Sequence, residues 1–199
     1  MPDAINNYLL RLGWGHGDKE FFTRNESINL FNLKGVGKSP AKYDEHKLEH
    51  VNAYYFKNLS LKELSDITIK HFKLDSLNKS FLEKLCLLFQ ERSESINEFL
   101  SGIEYMISVK KIPLSENASQ IIKNTKKQIL DSIIHELENI NNWDALLIET
   151  LLKNIAKKQS LKLFNIASPV RAAITGKTHS PSIFKILELI GKENCIKRL

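Results

Sequence analysis

Cysteine is nearly absent: Cys86 and Cys195 stand alone, with no Cys-x-x-Cys pair and no Cys/His cluster, so neither a zinc site nor a disulfide framework is encoded. A reducing cytosol suits such a chain. Long apolar runs are missing too, none approaching the roughly eighteen residues that cross a bilayer, and the N-terminus lacks the basic-then-apolar order of a secretory signal. The expectation is therefore a cytoplasmic chain, neither exported nor anchored in a membrane. No stretch alternates polar and apolar residues as a half-buried strand would, no heptad register persists, and no low-complexity tract or clear repeat interrupts the sequence.

What is present is ordinary for a folded protein: 42% hydrophobic and 26% charged residues over 199 positions, with a net charge of +6. The length allows more than one compact unit. The basic balance favours a polyanionic partner.

Helical spacing runs through the whole chain. Ile5, Tyr8, Leu9 and Leu12 predict a helix over Pro2–Leu12 closed by Gly13. Thr23-x-x-Glu26 and Ser60-x-x-Glu63 are capping boxes, and Asp44 caps a helix carrying Leu48, Val51 and Tyr55. Phe81, Leu85, Leu88 and Phe89 mark a further helix ending near Arg92, followed by one with Ile96, Phe99, Leu100 and Ile103. Ile112-Pro113 and Ser115 form a joint, after which Ile121, Ile122, Ile129, Ile133 and Leu137 predict one long helix. Asn142 is expected to start the next, with Trp143, Leu146, Leu147, Thr150, Leu151 and Ile155 facing a core. The fold class is all-α.

Gly35-Val36-Gly37-Lys38-Ser39 has the look of a phosphate-binding loop, but the glycine required five residues before Gly37 is Asn32. Pro40 also biases Ser39 away from helix. A phosphate-hydrolysing enzyme is a poor reading of this segment.

The richest stretch is the last. Ser168-Pro169 and Ser180-Pro181 each offer an N-cap hydroxyl followed by a proline set for position N1, predicting a short helix and then one of about three turns. Gly176 and Gly191 fall where the two should end. The loop Gly176 to His179 leads to the second helix start, where unpaired N–H groups favour anions or acceptor edges, and Arg171 and Lys177 add charge. Ile183 and Phe184 follow, a surface suited to stacking an unpaired base. Phe184, Leu187 and Ile190 equally have the spacing of a core stripe. Both readings stay open on spacing alone.

The blocks Pro169-Val170-Arg171-Ala172-Ala173-Ile174-Thr175-Gly176, Ser180 to Phe184 and Leu189 to Glu193 resemble, in order and spacing, the terminal signature of bacterial-type glutamyl-tRNA synthetases. Pro2 to Leu9 with Leu12-Gly13-Trp14 and Gly17-Asp18 resembles the same family near its other end. Pro40 to Asp44 with Lys47-Leu48 and Asn52 is similar to the family's stem-contact segment, with His50 where the family usually carries tryptophan. The resemblance implies that Lys47 contacts phosphate of the tRNA stem. It also implies that Arg92, Arg171, Ser180, Pro181, Ile183 and Phe184 bind the anticodon. Arg92 resembles the arginine facing the third anticodon base; a guanidinium only donates, which suits the acceptor edge of cytosine and opposes the donors of guanine. Glutamate anticodons end in C and glutamine anticodons in G.

The family's catalytic signatures, of His-Ile-Gly-His and Lys-Met-Ser-Lys-Ser type, are not in the sequence. No catalytic residue, metal site or cofactor site is expected in this chain, which is read as the C-terminal, tRNA-binding part of a larger class I ligase inactive without its upstream catalytic domain. ATP and magnesium would serve that domain. Residues 1–59 are expected to form the stem-contact region, 60–115 a first anticodon-binding subdomain and 116–199 a second, together an α-helix cage. The implied partners are tRNA(Glu) and the upstream domain, in a monomer. A helical protein-interaction module without nucleic acid is the alternative.

Overall fold

A computed structural model describes residues 1–74, 78–107 and 112–199. Among these the regular structure is helical, with an isolated antiparallel bridge between Trp14 and Val36 as the sole β-type pairing. The all-α expectation holds. Two compact units are present: Met1–Ser76 with Gln90–Ser101, and Leu77–Phe89 with Gly102–Leu199.

The first unit begins with α1 (Pro2–Gly13), followed by α2 (Arg24–Leu30), a 3-10 turn (Leu33–Gly35), α3 (Glu45–Lys57) and α4 (Leu61–Phe72). Ala4 and Tyr8, one helical turn apart on α1, bury against Val51 of α3, with Met1, Leu12, Phe21, Leu48 and Tyr55 packed around them. Polar groups lock this pairing at its edges. The Asp44 N–H donates to the Tyr8 hydroxyl at 2.6 Å, and the Tyr55 hydroxyl donates to the Phe22 carbonyl at 2.6 Å. Asn7, itself buried, donates to the Glu20 carbonyl and accepts from the Phe22 N–H. Both capping boxes form as predicted, and Asp44 caps α3 through the Lys47 N–H.

The glycine-rich segment is explained by packing. Gly37 donates to the Gly13 carbonyl and Gly15 to the Gly35 carbonyl. A Cβ on Gly35 would sit 2.6 Å from both the Gly15 carbonyl oxygen and the Trp14 indole nitrogen. Gly35 is therefore small because a backbone and a buried tryptophan close on it. Residues 40–44 are without helix, so no helix N-terminus stands behind Gly37-Lys38-Ser39 to cradle phosphate.

α5 (Lys79–Gln90) and α6 (Ile96–Ile107) each contribute to both units. Within the first, Gln90 donates from its carboxamide to the carbonyls of Phe56, Lys57 and Leu59, while Lys57 donates back to the carbonyls of Gln90 and Glu91. Phe56 and Phe99, both fully buried, pack 5.9 Å apart beside this knot.

The second unit continues with α7 (Glu116–Asn124), α8 (Lys127–Asn139), α9 (Ala145–Lys158), α10 (Leu163–Thr175), α11 (Ile183–Ile190) and α12 (Lys192–Arg198). α10 is its hub, packing on each of the other five. Ile166, Val170 and Ile174 repeat every four residues on α10 and are fully buried; α9 and α11, which pack on α10, bury Ile148, Leu152 and Ile155 and Ile183, Ile186 and Leu187 respectively. Burying each such side chain contributes about 1.5–3 kcal/mol before entropy is counted.

Several expected boundaries are corrected. α10 starts at Leu163, so Pro169 lies inside it and Ser168 is no N-cap; burial of Ile166 extends the helix upstream of the proline. α11 starts at Ile183 after Ser182 and has eight residues, two turns instead of three. The long helix after Ser115 is broken at Thr125, whose backbone is extended and whose hydroxyl donates to the Ile121 carbonyl. α9 is capped by Asp144, not Asn142, and its buried face is Ile148, Leu152, Ile155 and Ala156. Leu146, Leu147 and Thr150 are exposed.

Candidate nucleic-acid interface

Arg171 is the residue around which the terminal stretch folds. Half-buried on α10, its Nη1 donates to the Pro181 carbonyl at 2.9 Å, to the Ser180 carbonyl at 3.2 Å and to the Ser180 hydroxyl. The two hydrogens of Nη1, shared among these three acceptors, hold the turn before α11 against α10, a charge-assisted hydrogen bond being worth about 1.5–3 kcal/mol. Ser180 therefore serves this turn in place of capping a helix.

Thr175 supports the other side. Its buried hydroxyl donates to the Arg171 carbonyl at 2.8 Å and accepts from the Lys177 N–H at 3.1 Å. Gly176 then takes φ of +70° with its carbonyl accepting from the Ser115 N–H at 2.9 Å. The Gly176 to His179 loop is thus pinned at its entry, and Lys177 and His179 lie exposed on it.

The structure brings Arg171, Ser180 and Pro181 into contact. Pro181 is buried and Ile183 is 1% exposed, so Ile183 spends its side chain on the core. Phe184 is half-buried, leaving part of its ring to solvent beside the turn.

Arg92 and Lys47 belong to the first unit. Arg92 is exposed in the turn after α5, a turn tethered by the Lys57 bonds to Gln90 and Glu91. Its guanidinium has no hydrogen-bond or ion-pair partner among the described residues, so its donors are available. Lys47 is exposed on the first turns of α3 and likewise unpaired among the described residues.

Two groups near the Arg171 corner escaped the sequence reading. Tyr105, buried on α6, has a hydroxyl with no hydrogen-bond partner. Burial pushes its phenol up, while the charges of Arg171 and Arg198 pull the other way. Arg198 also donates to the Tyr105 carbonyl at 3.1 Å, tying the end of α12 to α6. A single tyrosine on an apolar helix gives no pattern by which to find it.

Among the described residues no group of three or more His, Cys, Asp or Glu side chains converges to hold a metal, and no helix is long and apolar enough to cross a membrane. With the Gly37-Lys38-Ser39 segment lacking a helix behind it, these residues do not fit ATP or its magnesium. The chemistry on offer is donation from arginines and loop N–H groups, plus a partly open aromatic face.

The anticodon binding domain family matches residues 39–199. Among curated relatives, glutamate–tRNA ligase 2 of Rickettsia typhi is 37% identical over 204 residues, covering 100% of this chain and 43% of the relative. That of Rhizorhabdus wittichii is 33% identical over 205 residues, again covering 100% of this chain and 43% of the relative. The chain thus spans less than half the length of these relatives. A glutamate tRNA ligase from Elizabethkingia meningosepticum, solved in complex with its amino acid, superposes with TM-score 0.86 at 22% identity over 99% of this chain and 40% of that one.

Proposed function

Because the chain belongs to the anticodon binding domain family through residues 39–199, we propose that it is the tRNA-reading part of a glutamate–tRNA ligase. It binds tRNA(Glu) and reads its anticodon, so that a catalytic part outside this chain attaches glutamate using ATP and magnesium. The observation that carries this reading is the Arg171 corner. The matched block contains a guanidinium bonded to Ser180 and Pro181 beside a half-exposed Phe184, a rigid polar edge next to a stacking surface.

In this reading Arg92 presents its unpaired guanidinium to the O2/N3 edge of the third anticodon base, favouring cytosine over guanine. Arg171, Ser180 and Pro181 shape the turn that receives a second splayed base, Ile183 anchors that turn from beneath, and Phe184 stacks. Lys47 contacts a phosphate of the stem. Functionally, residues 1–59 serve the stem, and 60–115 and 116–199 the anticodon. The intact protein works as a cytoplasmic monomer.

A filter-binding titration of this chain with unmodified tRNA(Glu) and an unrelated tRNA tests the proposal. Preference for tRNA(Glu), with affinity falling as salt rises, is the expected result. Equal binding of both tRNAs, or none, would overturn it and favour a helical protein-interaction module.

A further inference from the structure

Arg92 stands between two clamps that come from one helix. On its N-terminal side the Lys57 ammonium, in the last turn of α3, donates to the carbonyls of Gln90 at 2.8 Å and Glu91 at 2.7 Å. On its C-terminal side the Asn52 carboxamide, also on α3, donates to the Glu94 carbonyl at 3.3 Å, while the Glu94 N–H donates to the Glu98 carboxylate at 2.7 Å. Gln90 answers the first clamp, sharing the two hydrogens of its carboxamide nitrogen among the carbonyls of Phe56, Lys57 and Leu59. All of these residues lie in the first unit.

The carbonyls of Gln90 and Glu91 stand at the end of α5, where a helix runs out of N–H partners. An ammonium placed there meets their lone pairs and the negative end of the dipole together. Lys57 is thus engaged by the protein itself, although its side chain is exposed.

Arg92 differs, because nothing among the described residues holds its guanidinium. Where that group can reach is set by where the backbone holds its Cα. A loose turn would lose backbone entropy each time a base arrived, and it would let the guanidinium back away from the donors of a guanine. Rejecting a donor edge needs a donor that cannot retreat.

We infer that Lys57, Asn52 and Gln90 are positioning residues for Arg92: they set the preference for the third anticodon base by holding the turn on which Arg92 stands, without touching the base. The same helix carries Lys47, so the turn is held by the element proposed to meet the stem. The inference rests on the Arg92 role proposed above and goes beyond it in assigning part of the preference to residues that meet no base.

Filter binding of this chain to tRNA(Glu), and to the same tRNA with G as its third anticodon base, gives the preference as a ratio. Lys57→Met keeps the aliphatic chain and removes the donor; it should narrow that ratio by at least about twofold. Lys57→Arg, able to donate to both carbonyls, should restore it. In an Arg92→Ala background Lys57→Met should narrow the ratio no further, because its effect passes through Arg92. The salt slope should keep its wild-type value, since the ammonium is already taken by carbonyls. Helical circular dichroism should be unchanged, Lys57 being exposed. An unchanged ratio, or equal narrowing with and without Arg92, overturns the inference, as does a slope lowered by about one, which would make Lys57 a phosphate contact. Hydrogen exchange of the free chain tests the clamp without RNA. The Ser93 and Glu94 amides, both hydrogen-bonded, should exchange faster in Lys57→Met, and unchanged exchange overturns the clamp. A wild type that prefers neither tRNA strikes the function proposed above, while faster exchange in the variant would still support the clamp.

Discussion

Arg171 and Pro181 stand ten residues apart, yet the Nη1 of the first donates to the carbonyl of the second at 2.9 Å. The same nitrogen reaches both acceptors of Ser180. A side chain that reads as an RNA contact in the sequence is thus also the clasp of its own turn.

Arg171→Lys keeps the charge but not the planar fork. Stability against urea should fall by about 1.5–3 kcal/mol, the scale of charged hydrogen bonds. Affinity for tRNA(Glu) should fall with it, while the salt slope stays the same. A lysine variant as stable and as tight-binding as wild type would show that the clasp contributes nothing.

Arg92 offers the opposite case, an exposed guanidinium unpaired among the described residues. Arg92→Ala should leave stability within about 0.5 kcal/mol of wild type. It should also narrow the preference for an anticodon ending in C over one ending in G by about 1–3 kcal/mol. Titrations with the two tRNAs, with and without Arg92, measure the ratio, and an unchanged ratio refutes the base contact.

Gly176 combines φ of +70° with a position where a Cβ would lie 2.3 Å from the Pro113 carbonyl oxygen and 2.8 Å from the Ile112 side chain. The left-handed backbone alone costs a non-glycine residue about 1–2 kcal/mol. Gly176→Ala should therefore lower unfolding free energy by more than about 2 kcal/mol. Chemical denaturation measures this, and a loss below that figure would mean that the Ile112 to Ser115 segment yields easily.

Acid should act on the first unit through Glu26. Bonds from Lys19 and from the Thr23 backbone hold its carboxyl down at about 2, against an ordinary 4.5. A depressed folded value means that the stabilisation is complete above about pH 4.5 and fades as the pH falls towards 2. Glu63 is lowered in the same direction by the Ser60 hydroxyl and backbone. Glu26→Gln should flatten the stability loss between pH 4.5 and 2, followed by thermal melts at stepped pH. A variant with the wild-type acid profile would rule the carboxylate out as a contributor.

The capping residues explain why so much of the helix map was readable. Thr23 with Glu26, Asp44, Ser60 with Glu63, and Ser115 all bond to N–H groups within three residues of themselves, so nothing distant can change their role. Ser180 looked like one more of these and is not, because Arg171, brought up by the packing of α10 on α11, takes its oxygen instead. Leu146 and Leu147 failed for a related reason: a leucine-rich helix has more apolar residues than one face can hide. Which face is buried depends on the neighbours, here α10 and α11.

The sequence alone determined that this chain is helical, where most of its helices begin, and which family its motifs resemble, because capping, proline geometry and apolar spacing act over a few residues. Only the tertiary structure decided that Ile183 turns inward while Phe164 faces out, and that Arg198 at the end of the chain meets the Tyr105 carbonyl on α6. Those outcomes depend on how separate helices pack, and burial is a property of the assembled unit that no single helix carries in its own spacing.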